Sequence, residues 1–168
     1  MNHKVINLGL FILVLLLLLV AYYEPGIEDR SIEKVPLTQL KPEEISFIRI
    51  SDNSGRDLAM EKQQDGWLMT SPYNKPADEQ RIRQLLDITT TRSFSRFAIP
   101  KARLAEFDLD PAPIHLQLND VKLEIGGNEP IQFRRYVRVG NQLHLISNGY
   151  HHHLMAQADD FLSNTETP

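Results

Sequence analysis

The chain has 168 residues, 18 Lys and Arg against 22 Asp and Glu, and no Cys. Without Cys there are no disulfides, no zinc–thiolate sites and no thiol catalysis, so packing alone must hold whatever folds. Beyond residue 23 the balance is 17 basic to 22 acidic, a net of −5, which argues against a general nucleic-acid binder.

Val5 to Tyr23 (VINLGLFILVLLLLLVAYY) is a run of 19 residues with one strongly polar side chain, Asn7. As a helix it reaches roughly 28 Å at 1.5 Å per residue, close to the ~30 Å of a bilayer core. Tyr22 and Tyr23 stand where an interfacial aromatic pair is expected. The α-amino group and Lys4 precede the run, and Glu24, Glu28 and Asp29 follow it. The positive-inside rule then keeps residues 1–4 cytoplasmic and exports the remainder. The alternative is a cleaved signal peptide. The run exceeds a usual signal h-region, and its exit, Leu19-Val20-Ala21-Tyr22-Tyr23, is a poor cleavage site, so an uncleaved signal-anchor is expected. No Cys follows to form a lipoprotein box.

Residues 24–43 mix Pro, Gly and charge and read as a linker. Residues 44–163 are the expected exported domain, and 164–168 a disordered tail. Within the domain, Glu44 to Ser51 is strand-like, with Ile48 and Ile50 on one face, and Asn53-Ser54-Gly55 marks a turn. Leu58 to Gln64 and Trp67 to Thr70 flank Asp65-Gly66, a strong hairpin signal. That hairpin sets Gln64 opposite Trp67 and Lys62 opposite Met69, and gathers Leu58, Met60, Trp67 and Met69 on one face. Trp67 so placed is a core aromatic. Pro72 to Pro76 is a loop. Asp78 can cap a helix whose apolar stripe is Ile82, Leu85, Leu86 and Thr89, with Arg81 and Arg83 off the stripe. A shorter helix is expected from Pro100 to about Phe107.

Ile114 to Leu118 and Val121 to Ile125 alternate cleanly around Asn119-Asp120. This pairs Leu118 with Val121 and Leu116 with Leu123, and sets His115 opposite Glu124 and Gln117 opposite Lys122. Gly126-Gly127 is expected to break the strand. Arg134 to Val139 and Gln142 to Ile146 make a hairpin around Gly140-Asn141. Leu154, Met155, Ala158, Phe161 and Leu162 mark an amphipathic C-terminal helix. The fold class expected is α+β: an N-terminal transmembrane helix followed by two antiparallel β-meander-plus-helix units.

Asp65-Gly66-Trp67 with Ser71-Pro72, then Phe107-Asp108-Leu109-Asp110-Pro111, Ile125-Gly126-Gly127 and Arg135-Tyr136-Val137-Arg138 follow one another in an order that resembles the bacterial domain-of-unknown-function family 4340. The resemblance spans roughly Ile45 to Ile146. The family often has Gly where this chain has Asp108. The resemblance implies a membrane-anchored protein of the bacterial cell envelope, and for some members an auxiliary part in ABC-type transport systems. It supplies no catalytic residue.

The candidate partner-binding residues are the basic belt Arg81, Arg83, Arg92, Arg96, Lys101 and Arg103, which faces one acid, Asp87, between residues 80 and 105. Tyr136 and Arg138, on one strand face, are a second candidate; the competing reading is an ion pair at the core rim. His115, His144, His151 and His153 are weak metal candidates. Consecutive histidines diverge, so the run His151-His152-His153 reads first as a solvated helix start. No nucleophile elbow, zinc-protease helix or phosphate loop is present, and Asp108 and Asp110 read as turn formers. No cofactor and no enzymatic activity is therefore expected.

The expected role is a non-enzymatic, single-pass accessory or binding protein of the bacterial inner membrane. The bilayer holds Val5–Tyr23, and the periplasmic domain docks another envelope component by a sheet edge or by the belt. Two alternatives stand: an auxiliary subunit of an ABC-type transport system, and a periplasmic ligand or metal carrier using the histidines.

Overall fold

A computed structural model of the chain describes residues 3–23 and 35–163. Residues 1–2 of the expected cytoplasmic tail, the linker between 24 and 34 and the tail at 164–168 lie outside the described residues. The chain divides into two compact units, Met1–Lys34 and Val35–Pro168.

The first unit carries helix α1 (His3–Tyr23). Its described large apolar side chains, from Ile6 to Leu19, are 41 to 62% exposed. Among the described residues no helix is long and apolar enough to cross a membrane. The side chains from Ile6 to Leu19 alone reach roughly 21 Å at 1.5 Å per residue, short of a ~30 Å core. The membrane span expected over Val5–Tyr23 is therefore not found among the described residues.

The second unit is α+β, built on one antiparallel sheet of nine strands in the order β4-β3-β2-β1-β6-β7-β8-β9-β5. The strands are β1 (Phe47–Asp52), β2 (Asp57–Gln63), β3 (Gly66–Ser71), β4 (Lys75–Pro76), β5 (Ser95–Ala98), β6 (Ile114–Leu118), β7 (Val121–Asn128), β8 (Arg135–Val139) and β9 (Gln142–Ile146). Two meanders, β1 to β4 and β6 to β9, join where β1 pairs with β6, setting Ile48 against Leu118 and Ile50 against Leu116. Helix α2 (Glu79–Leu86) follows the first meander, and helix α3 (His151–Met155) follows the second.

The main core lies on one sheet face. Ile48, Ile50, Leu58, Met60, Trp67, Met69, Leu116, Leu118, Leu123, Ile125 and Val137 meet Ile82, Leu85 and Leu86 of α2, with Leu154 and Phe161 from the C-terminal segment. A smaller core of Leu104, Leu109, Ala112 and Leu143 forms where the 3-10 segment Lys101–Phe107 covers the opposite face of the second meander. Alternation along β8 and β9 separates the two. Val137 and Ile146 belong to the main core, whereas Tyr136 packs against the smaller one.

Several expectations shift. The folded unit starts at Val35, before the expected boundary at 44. Leu37 is buried, Leu37 N donates to Thr91 O, and Thr38 N donates to Thr89 O, so residues 35–43 belong to the domain. In the first hairpin Gln63 faces Gly66, Lys62 faces Trp67 and Met60 faces Met69, with the turn at Gln64-Asp65. This is a two-residue shift from the expected register. An even shift keeps every side chain on its face, which is why the expected apolar face survives. Gly126-Gly127 does not end β7; the pairing with β8 slips there, from Ile125–Val137 to Asn128–Arg135, as a bulge. The C-terminal helix is two short pieces, α3 and the 3-10 turn Ala158–Phe161, because Gln157 and Asp160 form a capping box that restarts the chain. Pro100 precedes the helical segment it was expected to begin. Strand β5 was not anticipated; four residues with every side chain exposed carry no alternation signal.

The break after α3 is held from across the sheet. Arg56, just past the β1–β2 turn, donates Nη2 to Leu154 O at 2.7 Å and Nη1 to Ala156 O at 2.6 Å. Its Nε donates to Asp52 Oδ2 at 2.9 Å, with the two side chains 8% and 12% exposed. Hydrogen bonds from Ser54 and Arg56 hold the Asp52 carboxyl down to about 2. Removing Arg56 would strand a poorly solvated carboxylate and two helix-end carbonyls. Arg56→Ala is expected to cost about 3 kcal/mol and to lower the unfolding midpoint by roughly 10 °C in a thermal melt. Because the Asp52 pKa is depressed by folding, its contribution is complete above pH ~4 and is lost as pH falls toward 2. The melt deficit of Arg56→Ala should shrink over that window.

Candidate functional site

The motif residues that are scattered in the sequence converge in space. Phe107 to Pro111 lie against the β7 bulge. A Cβ on Gly126 would stand 2.3 Å from Phe107 O, and one on Gly127 would stand 2.2 Å from Asp108 Oδ2. Only glycine admits so close an approach. Arg135, 8% exposed, closes the clasp from β8: Nη1 donates to Gly126 O at 2.7 Å and Nε to Asn148 Oδ1 at 2.7 Å. Asp108 itself has φ 54°, the left-handed region, which explains why glycine suits that position. The peptide bonds before Pro72 and Pro111 are cis.

Beside the clasp a cleft of about 610 Å³ opens, lined by Asp108, Asp110, Asn128, Arg135 and His151 among others. His151 Nδ1 is buried with no hydrogen-bond partner among the described residues. Burial, then the Arg135 and His152 charges, lowers its pKa, so the neutral ring is favoured. The cleft offers acceptors and a guanidinium for polar contacts. Asp108 ends the Lys101–Phe107 segment in the left-handed conformation, which is a turn geometry.

The basic belt does not form one surface. Arg81 and Arg83 project from α2 on the main-core side and line separate grooves. Lys101 and Arg103 belong to the segment over the opposite face. Arg103 is also engaged by Glu106, with Nη2 to Oε2 at 2.7 Å. Arg92 and Arg96 lie at strand β5, where Arg92 stands over the Phe94 ring at 5.2 Å. An unforeseen partner completes that stack: the Arg134 guanidinium is 3.7 Å from the same ring centroid. Tyr136 packs edge-on to Phe107, with centroids 4.8 Å apart. Arg138 Nε donates to Glu124 Oε2 across β7 and β8.

The histidines disperse. His115 is exposed on the uncovered sheet face, in a groove of about 250 Å³ with Arg49, Lys122 and Glu124. His144 is 5% exposed on the main-core face. His153 lines a groove beside α2 with Arg81 and His152, while His151 faces the clasp. Among the described residues no three His, Asp or Glu groups are placed to hold a metal ion.

Buried His144 and Ser93 form a pair that sequence reasoning missed, since 51 positions separate them; Ser93 Oγ lies 3.0 Å from His144 Nδ1. It resembles a nucleophile–base pair, but the proton count opposes that role. Ser93 Oγ donates to Ser95 O at 2.9 Å, which leaves it to accept from Nδ1–H. Burial, then the Arg96 charge, lowers the His144 pKa. Burial is also the main cause of lowering at His153.

Two outcomes follow from this geometry. Gly126→Ala meets backbone and is expected to cost more than about 3 kcal/mol. Gly127→Ala meets only a side chain, so Asp108→Gly, itself neutral or stabilising at a left-handed position, should recover most of its loss in chemical denaturation. Separately, histidines held neutral by the fold are protonated first in the unfolded chain. Stability should therefore be complete above pH ~6.5 and decline as pH falls below it, and His144→Asn should flatten that decline in melts at stepped pH.

One protein family matches the chain, over residues 67–166, and it is described as a domain of unknown function (DUF4340). The match takes in 100 of the 168 residues and includes every segment of the clasp. No curated protein and no solved structure matches the chain.

Proposed function

We propose, from the premise that this chain belongs to the DUF4340 family, that it is a membrane-tethered, non-catalytic binding protein of the bacterial cell envelope. One observation carries the tether. The described large apolar side chains of α1 are all substantially exposed, from Ile6 at 41% to Phe11 at 62%. Such a surface is costly in water, at about 25 cal/mol per Å², and is stable in lipid. The run continues to Tyr23 in sequence, a length that suits a span, and the flanking charge favours an orientation with the folded unit outside the cytoplasm.

For docking, the open sheet edge is the favoured surface. At one end β4 has two residues and contains Pro76, which has no N–H to offer a new strand. At the other end β5 pairs with β9 alone among the described residues. Ile99 N donates inward to Asn141 O in register with the β5–β9 pairing, so by strand alternation the Arg96 and Ala98 N–H groups face outward. Arg92, Arg96 and Lys101 flank this edge, which suits an extended acidic segment of another envelope protein.

Protease added to intact spheroplasts is expected to digest the folded unit and leave a membrane-retained N-terminal fragment. Full protection would place the unit in the cytoplasm and defeat the orientation. A photoreactive residue at Phe97 in the full chain should give one dominant adduct. Ala98→Pro, which removes an outward donor, should reduce that adduct roughly ten-fold with little change in the thermal melt. Equal yield from the proline variant would remove β5 as the docking edge.

A further inference from the structure

The β7–β8 connection presents the two most exposed large apolar side chains of the described chain, Ile131 at 82% and Phe133 at 68%. We propose that this tip is a lipid-docking site. Ile131 and Phe133 enter the interfacial layer of a bilayer, while Arg134 and Arg92 engage the phosphates of anionic headgroups.

The tip is built to hold that shape. Glu129 accepts from Ile131 N at 3.0 Å and from Gln132 N at 2.7 Å. Its own N–H donates to Arg134 O at 2.7 Å, closing the loop. Phe133 has φ 52°, a region that large L side chains rarely adopt. A strained backbone that leaves an aromatic ring 68% exposed is a feature to be explained by use. Immediately behind it, Arg134 and Arg92 lie over the Phe94 ring at 3.7 Å and 5.2 Å. Guanidinium stacked on an aromatic is pre-oriented and keeps its hydrogen-bonding edge for phosphate. Glu129, the acid of this loop, is committed to backbone N–H groups.

The point where the chain enters the unit fits the same end of the sheet. Ser93 N donates to Val35 O at 3.0 Å, and Pro36 bridges to Arg92. The polypeptide arriving from α1 therefore joins beside the Arg92–Phe94–Arg134 stack. Eleven residues, 24–34, separate Tyr23 from Val35. Their contour is at most roughly 40 Å, so a tethered unit meets the membrane surface at high effective concentration. This part rests on the tether proposed above; the tip chemistry does not.

The test uses the full chain carrying Phe133→Trp, reconstituted in vesicles with brominated acyl chains. One set is phosphatidylcholine alone and the other contains phosphatidylglycerol. Trp67, 8% exposed in the core, reports separately that the unit is folded. Flotation reports the tether, independently of the tip. The expected result is quenching at position 133 in the anionic vesicles, weakened by salt. Arg92→Ala and Arg134→Ala should each reduce the docked-to-free ratio roughly five-fold. Vesicle-bound, folded protein whose indole at position 133 is unquenched in both membranes would overturn the proposal, and would point to a protein partner for the tip. Equal quenching in neutral and anionic vesicles would overturn the headgroup assignment. Protein that fails to float, with its tip still quenched by added anionic vesicles, would overturn the tether alone.

Discussion

The pairing of β1 with β6 turns two meanders into one sheet, and the remaining layers assume it. Ile48 and Ile50 stand opposite Leu118 and Leu116 there, and all four are fully buried. This ladder joins residues more than 60 positions apart, so its loop-closure cost must be met before the two meanders can share a core. Asn119 reinforces it from the neighbouring turn. Its Oδ1 accepts from Ser46 N at 3.0 Å and Phe47 N at 3.1 Å, and its Nδ2 donates to Glu44 O at 3.1 Å. With no disulfide available, the fold depends on this junction and on the apolar face it makes continuous. Helices α2 and α3 then need only cover that face, which is why short helices suffice.

Much of the architecture was legible because local turn chemistry and alternation agreed. The pairing across Asn119-Asp120 emerges as read, Leu118 with Val121 and Leu116 with Leu123. Asp78 caps α2 by accepting from Gln80 N and Arg81 N, and its stripe Ile82, Leu85, Leu86 and Thr89 is buried. What failed was decided at long range. Residues 35–43 look like a linker because Pro and charge interrupt any period, yet Thr38 Oγ1 and backbone bonds to residues 89 and 91 fix them. Strand β5 exists because β9 offers an edge, not because Ser-Arg-Phe-Ala prefers to be a strand. The C-terminal stripe marked Leu154 and Phe161, which are buried, but also Met155, which is 44% exposed, and it missed the break that Arg56 stabilises from the first meander.

The clasp shows how motifs scattered in the sequence can have a structural part in common. Each segment was visible in the sequence, but not the contact that unites them. Gly126 and Gly127 matter because the backbone at Phe107 and the side chain of Asp108 occupy the space a Cβ would take. Arg135 could be read as a surface cation from its strand alone; only the fold shows it spanning Gly126 and Asn148. The belt failed in the opposite sense. Its residues are adjacent in sequence, but α2 and the 3-10 segment Lys101–Phe107 carry them to opposite faces of the sheet. Proximity along the chain is a poor guide to a charged surface once a strand intervenes.

Net charge and local charge point different ways in this protein, and distance decides between them. The acidic excess beyond residue 23 would repel an anionic surface if it acted as a whole. Screening prevents that. At physiological salt the Debye length is about 8 Å, whereas a unit of this length is roughly 35 Å across. Acids on the far meander, such as Glu61 and Asp65, are therefore weakly felt at the β7–β8 tip. What a surface senses is the group within one screening length. Here that group is two stacked guanidiniums, two exposed apolar side chains and a carboxylate already bound to its own backbone. A domain can be acidic overall and still present a basic, apolar corner. The fold achieves this by bringing Arg92 and Arg134, 42 residues apart, against one phenylalanine ring.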